Sequence, residues 1–246
     1  MAININENYL EIFNSFKNDG HFTNIGKLLC KDPFSEVREI YVKNKVMVGK
    51  IVRDDNSENY GKYGAYDIRG QNLVKIHSII LKEINRCNYF LIIMEKTMPR
   101  DLGKLNDYFH NHNLLKLIFD PFKELTGDYL LKFYCKQIIN ALEILKRCNY
   151  VLFDLKPENL LISTNFIIKL SYFSLLKKIK DKEKLKHPGG TDGYLSLDYY
   201  KNKKFTEEEA YKQEYFSLGA TLYYLKYGQR MLKFKKCDNN DSFTPF

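Results

Sequence analysis

The sequence predicts an α+β protein of two segregated lobes, strands first and helices after. Three observations carry this. From Val37 to Met94 the apolar residues come in short runs separated by polar turns, the texture of strands. From about residue 100 they recur at helical spacing, with Leu131, Cys135, Ile138, Leu142 and Leu145 forming one stripe over four turns. The chain has 246 residues, 44% of them hydrophobic and 15% aromatic, which is enough to bury a core without disulfide staples.

Taken in order, Leu10, Phe13 and Phe16 repeat with a helical period until Gly20 breaks it, so residues 1–24 are expected to form an N-terminal helical extension. Val37–Val42 and Lys45–Val52 flank a tight Lys43-Asn44 turn and read as a hairpin. Leu73–Leu81 and Tyr89–Met94 read as a second strand pair joined by the polar stretch Lys82–Asn88. Between the pairs, Asp54–Gly70 is a poor helix, because Gly61 and Gly64 fall inside it. Thr126 or Asp128 would cap the striped helix. Asn159–Lys169 is hairpin-like, and Lys177–His187 is a basic loop. Phe216–Leu225 is apolar almost all round, as suits a helix in the middle of a lobe. There is no internal repeat.

Several classes are disfavoured at once. Cys30, Cys87, Cys135, Cys148 and Cys237 are odd in number and scattered, without a CxxC pair, against a disulfide framework or zinc site. His110 and His112 have no nearby cysteine and make no recognised site. No apolar run approaches the ~20 residues that span a bilayer, and the N-terminus lacks a signal-peptide layout. A cytoplasmic protein is expected, with no membrane partner. The net charge of +9 allows a nucleic-acid reading. However, the aromatics sit inside apolar segments rather than among arginines, and Lys177–Lys186 is interleaved with Asp181 and Glu183. Lysine-rich solvated faces account for the charge, and no nucleic-acid partner is expected.

One stretch points to specific chemistry. Asp154-Leu155-Lys156-Pro157-Glu158-Asn159-Leu160-Leu161-Ile162 sets a carboxylate five residues before an amide. The stretch resembles the catalytic loop of eukaryotic protein kinases, and Lys-Pro-Glu resembles the serine/threonine branch. The resemblance implies that the carboxylate accepts the proton of an attacking hydroxyl while the amide oxygen holds a metal on phosphates. Other pieces fall in family order. Val46-Met47-Val48-Gly49-Lys50 resembles the V-A-I-K strand, and Tyr89–Met94 with Glu95-Lys96-Thr97 resembles the last N-lobe strand and hinge, with Met94 as gatekeeper. Gly190–Asp198 resembles the segment ending in A-P-E, and Glu214–Gly219 resembles the D-x-W-S-L-G motif that opens the central C-lobe helix. The resemblance implies a bilobal kinase-like domain over 25–246, with an N-lobe over about 25–95 and a C-lobe over about 96–246. The C-lobe would stop after the central helix, earlier than the family pattern. The resemblance also implies that Asp154 and Lys156 are catalytic, that Lys50, Glu95 and Thr97 bind the nucleotide, and that Asn159 binds metal.

Four departures from the pattern bear on activity. Where D-F-G would supply a magnesium-binding aspartate, thirteen residues past Asn159, the chain reads Tyr172-Phe173-Ser174. Cys30–Val37 aligns with G-x-G-x-x-G-x-V without any of its glycines. Leu152 and Phe153 stand where His-Arg precedes the catalytic aspartate, and Leu175–Gly190 contains no Ser, Thr or Tyr for that arginine to read once phosphorylated. Glu58 is the one glutamate between Lys50 and Leu73 to pair with the lysine, and it lies in the weak helix. These features imply a catalytically impaired, pseudokinase-like serine/threonine-type protein, a signalling scaffold or allosteric partner. Its cofactor is then none, and its partner a parent kinase. The alternative, kept open by the retained Asp154, Lys156, Asn159, Lys50 and Thr191, is an active kinase using ATP and Mg2+ on a protein substrate; a basic nucleic-acid binder ranks last.

Overall fold

A computed structural model describes residues 8–32, 35–54, 67–98, 101–111, 127–163, 165–171, 175–179, 185–186, 189–201, 204–231, 234–236 and 243–245. The chain divides into two compact units, Met1–Asp67 with Val74–Pro99, and Ile68–Leu73 with Arg100–Phe246.

The first unit is a five-stranded antiparallel sheet in the order β1-β2-β3-β5-β4, built from β1 (Asn24–Asp32), β2 (Ser35–Val42), β3 (Lys45–Asp54), β4 (Ile76–Ile84) and β5 (Cys87–Met94). The expected Lys43-Asn44 turn is present, with φ of 46° and 65°. Two left-handed residues give a two-residue hairpin whose twist matches its strands. The same device joins β4 to β5, at Asn85 and Arg86 (φ 53° and 63°). The connection expected over Lys82–Asn88 therefore shrinks to two residues, and the strand expected over Leu73–Leu81 moves to Ile76–Ile84. Leu73 leaves the sheet to bridge Leu170 in the second unit. Strand β1 has no counterpart in the expectations. Its side chains are mostly exposed and show no apolar alternation, so nothing in its composition marks it as a strand.

One face of the sheet is covered by helix α1 (Tyr9–Asn18). Tyr9, Ile12, Phe13 and Phe16 of this helix, with Phe22, form one buried cluster with Ile40, Ile51, Tyr89, Leu91 and Ile93. Within the stretch expected as an extension, Tyr9, Ile12, Phe13, Phe16 and Phe22 supply about half of that core. The buried stripe is also shifted by one residue from the Leu10 start, and Leu10 is 43% exposed. At its C-terminal end the helix is fastened to edge strand β4. Lys82 Nζ donates to the Ser15 carbonyl (3.1 Å) and to Asp19 Oδ2 (2.6 Å), giving a terminal carbonyl the cation it favours.

The second unit is organised by α2 (Leu102–Asn111), α3 (Gly127–Arg147), the small antiparallel pairs β6 (Tyr150–Leu152) with β9 (Leu176–Lys178) and β7 (Leu160–Ile162) with β8 (Ile168–Leu170), and β10 (Leu185–Lys186) paired with β11 (Lys204–Phe205). Helices α4 (Leu197–Lys201) and α5 (Glu207–Tyr227) and the hairpin β12 (Phe234–Lys236) with β13 (Phe243–Pro245) complete it. On α3, Ile138, Leu142 and Leu145 of the expected stripe are buried and Leu131 and Cys135 are half-buried. Asp128 lies inside the helix rather than at its cap, and Thr126 lies outside the described residues. Asn72 clamps its segment to this helix and to β8. Its amide donates to Gln137 Oε1 and to the Ile168 carbonyl (both 3.0 Å), and it accepts from Asn140 (2.8 Å).

Helix α5 begins at a capping box between Thr206 and Glu209 and ends at Gly228 in the left-handed conformation. Glu214–Gly219 was expected to open this helix but lies inside it, because the Thr206 cap starts the helix two turns earlier. Its flank is also less covered than expected, since Gly219 faces solvent and Tyr215 and Tyr227 are half exposed. Among the described residues no helix is long and apolar enough to cross a membrane.

Candidate active site

The loop from β6 to β7 carries the predicted chemistry. Pro157 starts a single 3-10 turn, Pro157–Asn159, where its fixed φ suits the first position and its missing N–H costs nothing. The loop is held from beneath by α5. Leu152 N–H donates to Glu214 Oε1 (2.8 Å), and the Thr221 hydroxyl donates to the Leu155 carbonyl (3.5 Å). Leu152, Phe153 and Leu155 are all buried, so the loop is anchored on both sides of Asp154 while Asp154 itself keeps some exposure.

Three predicted residues come together here, and a fourth joins them. Asn159 Nδ2 donates to the Asp154 carbonyl (2.7 Å) and to Asp154 Oδ2 (3.1 Å). Lys156 Nζ lies 3.0 Å from Asp154 Oδ2. The Thr191 hydroxyl donates to Asp154 Oδ1 (2.6 Å) and accepts from Lys156 Nζ (2.7 Å). The side chains of Asp154 and Lys156 are 11% and 21% exposed, so the carboxylate is shielded yet reachable. Such a group can accept a proton from a hydroxyl placed beside it, with the lysine balancing the charge. Asn159 spends its amide nitrogen on Asp154, which leaves the amide oxygen for a cation.

Thr191 is positioned by α5 as well. The Tyr194 carbonyl accepts from Ser217 Oγ (2.7 Å) and Gln213 Nε2 (3.0 Å), and Ser196 N–H donates to Gln213 Oε1 (2.9 Å). Burial pushes the Glu214 carboxyl up to about 8, with the Leu152 N–H and Lys146 pulling the other way. Glu214 therefore carries a proton at neutral pH while still accepting from the loop. It was visible in the sequence only through a motif; its anchoring role depends on a tertiary contact.

The residue in the arginine position is explained by packing. Phe153 is 1% exposed and lies 5.8 Å from the Tyr199 ring and 6.0 Å from Phe205, which stack on each other at 4.7 Å. An aromatic cluster fills the place where a phosphate-reading arginine would need polar partners.

In the first unit, strand alternation sends Lys50 to the face opposite Gly49, Ile51 and α1, level with Val37 on β2 and Ile92 on β5. Glu95 follows β5 and is tied to Lys75. Its N–H donates to the Lys75 carbonyl (2.9 Å), and its carboxylate accepts from Lys75 N–H (2.7 Å). Thr97 makes a long bond to the Met98 carbonyl (3.4 Å). At the turn that aligns with the glycine-rich loop, Ser35 Oγ donates to Asp32 Oδ2 (2.6 Å), placing a carboxylate where phosphate recognition calls for free amide donors. Pro33 and Phe34 of this turn lie outside the described residues, as do Glu58 and Tyr172-Phe173-Ser174.

Buried Glu39 was missed. Its Oε1 lies 2.9 Å from Lys96 and 3.7 Å from Lys27, and its Cβ and backbone leave room opposite only for Gly26, where an added Cβ would lie 2.8 Å away. A glutamate between Val37 and Tyr41 on one face of the strand was the available signal. Among the described residues no group of three or more His, Cys, Asp or Glu could hold a metal ion. Beside the Asn159 amide the Asp154 carboxylate is already engaged by Asn159, Lys156 and Thr191, and the sequence has Tyr172 where the resemblance implies a second carboxylate, so the residues present do not fit the magnesium it implies.

Comparison with known proteins bears on all of this. The family profile described as "Protein kinase domain" matches residues 26–243. The rice (Oryza sativa subsp. indica) serine/threonine protein kinase OSK3 is 27% identical over an alignment covering 68% of this chain and 37% of the relative. The carbon catabolite-derepressing protein kinase of Secale cereale is 32% identical over 53% of this chain and 25% of the relative. The chain thus spans little more than a third of the rice relative's length. The solved structure of the Cydia pomonella granulovirus kinase PK-1 superposes with a TM-score of 0.66 at 18% identity, covering 95% of this chain and 80% of that one, a likeness of fold.

Proposed function

The chain belongs to the protein kinase family, and on that premise we propose that it is a catalytically impaired, serine/threonine-type member that works by binding a protein partner, such as a parent kinase, in the cytoplasm. The observation that carries this is the side chain at position 172. The Tyr172-Phe173-Ser174 stretch offers no carboxylate for the metal that neutralises a transferring phosphoryl group. Losing that neutralisation costs several kcal/mol of barrier, at tenfold in rate for each ~1.4 kcal/mol. The Asp32 carboxylate bonded across the turn to Ser35 adds to the same side.

A second reading rests on its own observation. Asp154, Lys156, Asn159 and Thr191 form a complete hydrogen-bonded set around one carboxylate. In an active kinase Asp154 would accept the hydroxyl proton of a protein substrate, Lys156 would steady the phosphate and Lys50 would hold ATP. A thermal-shift titration with ATP, with and without magnesium or manganese, separates the two, since ligand binding stabilises by mass action. Impairment predicts no metal-dependent shift at millimolar nucleotide. A metal-dependent shift lost in Lys50→Ala, with phosphotransfer lost in Asp154→Asn, would establish the second reading.

A further inference from the structure

Position 49 in β3 carries no side chain, although it is an interior position next to Lys50. The reason lies across the sheet. A Cβ built on Gly49 would stand 3.1 Å from Ile40 Cδ1 and Cγ2 and 3.2 Å from Phe13 Cε1. Phe13 is completely buried, and it comes from α1, 36 residues earlier. The volume that a side chain of the strand would fill is filled instead by Ile40 of β2 together with a ring from the N-terminal helix. The neighbouring contacts make this seat rigid. Ile51 and Ile40 on the same face are fully buried, and the far end of α1 is fixed by Lys82. Interiors this dense transmit small displacements instead of absorbing them.

We infer that Phe13 is a positioning residue for Lys50: through Gly49, helix α1 sets the height of β3 and thereby the lysine on the opposite face. The nucleotide role of Lys50 on which this rests is the family reading above; the coupling of α1 to β3 stands apart from it. The helix is then a built-in control point for the lysine. Anything that lifts α1 from the sheet slackens β3 at that residue.

The test compares Phe13→Ala with Phe16→Ala, a truncation of similar size in the same core that sits toward Lys82 and His21, away from Gly49. Amide hydrogen exchange across Val46–Val52 and fluorescent-nucleotide affinity are read on each, alongside Gly49→Ala and the double variant Phe13→Ala/Gly49→Ala. The expected result is exchange in β3 about tenfold faster in Phe13→Ala than in Phe16→Ala, with nucleotide affinity weakened on the order of tenfold. Gly49→Ala alone perturbs β3, and the double variant recovers much of the loss because the new methyl occupies part of the vacated space. Should Phe13→Ala not fold, Phe13→Leu with and without Gly49→Ala answers the same question. Equal effects of the Phe13 and Phe16 truncations, or a harmless Gly49→Ala with no recovery in the double variant, would overturn the coupling. If the wild type binds no nucleotide, the exchange arm alone decides the coupling, and it is the nucleotide reading of Lys50 that fails.

Discussion

The Thr191 hydroxyl donates to Asp154 Oδ1 across 2.6 Å and accepts from Lys156 Nζ across 2.7 Å, so one side chain closes a ring with a carboxylate and an ammonium. Thr191→Val removes both bonds and leaves a shielded carboxylate oxygen without its donor. A loss of about 1–3 kcal/mol follows, measured by urea unfolding, while Thr191→Ser keeps the hydroxyl and loses much less. Equal losses in both variants would show that the methyl group, not the hydroxyl, matters.

Glu214 makes stability depend on pH in a definite direction. Its carboxyl is raised to about 8 in the folded protein from 4.5 when solvated. The folded state therefore holds a proton that the unfolded state releases between those values. The stabilisation is complete below pH 4.5 and is lost as pH rises through 8. Glu214→Gln keeps the acceptor for Leu152 N–H without titrating. Its stability relative to wild type should climb from pH 5 to 8 and level off above, by at most ~5 kcal/mol. A difference that stays flat over that range would refute the protonated anchor.

Restoring arginine at position 153 should not restore a phosphate switch. Phe153→Arg would force a cation among the Tyr199 and Phe205 rings of an apolar and aromatic cluster. Burying a charge in such surroundings costs more than ~3 kcal/mol. Far-UV circular dichroism and thermal unfolding should report a largely destabilised chain; a wild-type melting curve would count against the packing explanation.

Lys82→Met keeps the apolar stem but removes the ammonium from the Ser15 carbonyl and Asp19. Lys82 and Asp19 are 27% and 42% exposed, so the expected cost is small, about 0.5–1 kcal/mol. Raising the salt concentration should shrink the difference from wild type, which chemical denaturation at low and high salt would show.

Much of this protein is legible in one dimension because its signals are local. The Lys43-Asn44 hairpin, the helix stripe ending in Leu142 and Leu145, and the Asp154-to-Asn159 spacing each lie within a few residues, where period and turn chemistry act directly. The Asp154 set was legible as residues but not as a set: Lys156 and Asn159 share its loop, while Thr191, singled out only through its motif, reaches Asp154 from 37 residues away. Strand β1 was illegible because an exposed edge strand needs no apolar alternation. The turn at Asn85-Arg86 was missed because arginine is a rare choice for a left-handed position.

By itself, then, the sequence determined the family, a strand-rich part followed by a helix-rich one, and the absence of a carboxylate from Tyr172-Phe173-Ser174. Those are matters of residue type and spacing. The tertiary structure alone decided that the first helix packs into the core, that Gly49 is small because Ile40 and Phe13 occupy its space, and that Glu214 holds the Asp154 loop as a neutral acid. Each of these depends on side chains far apart in the chain meeting in a dense, water-poor interior. There, excluded volume and desolvation, rather than local propensity, set the outcome.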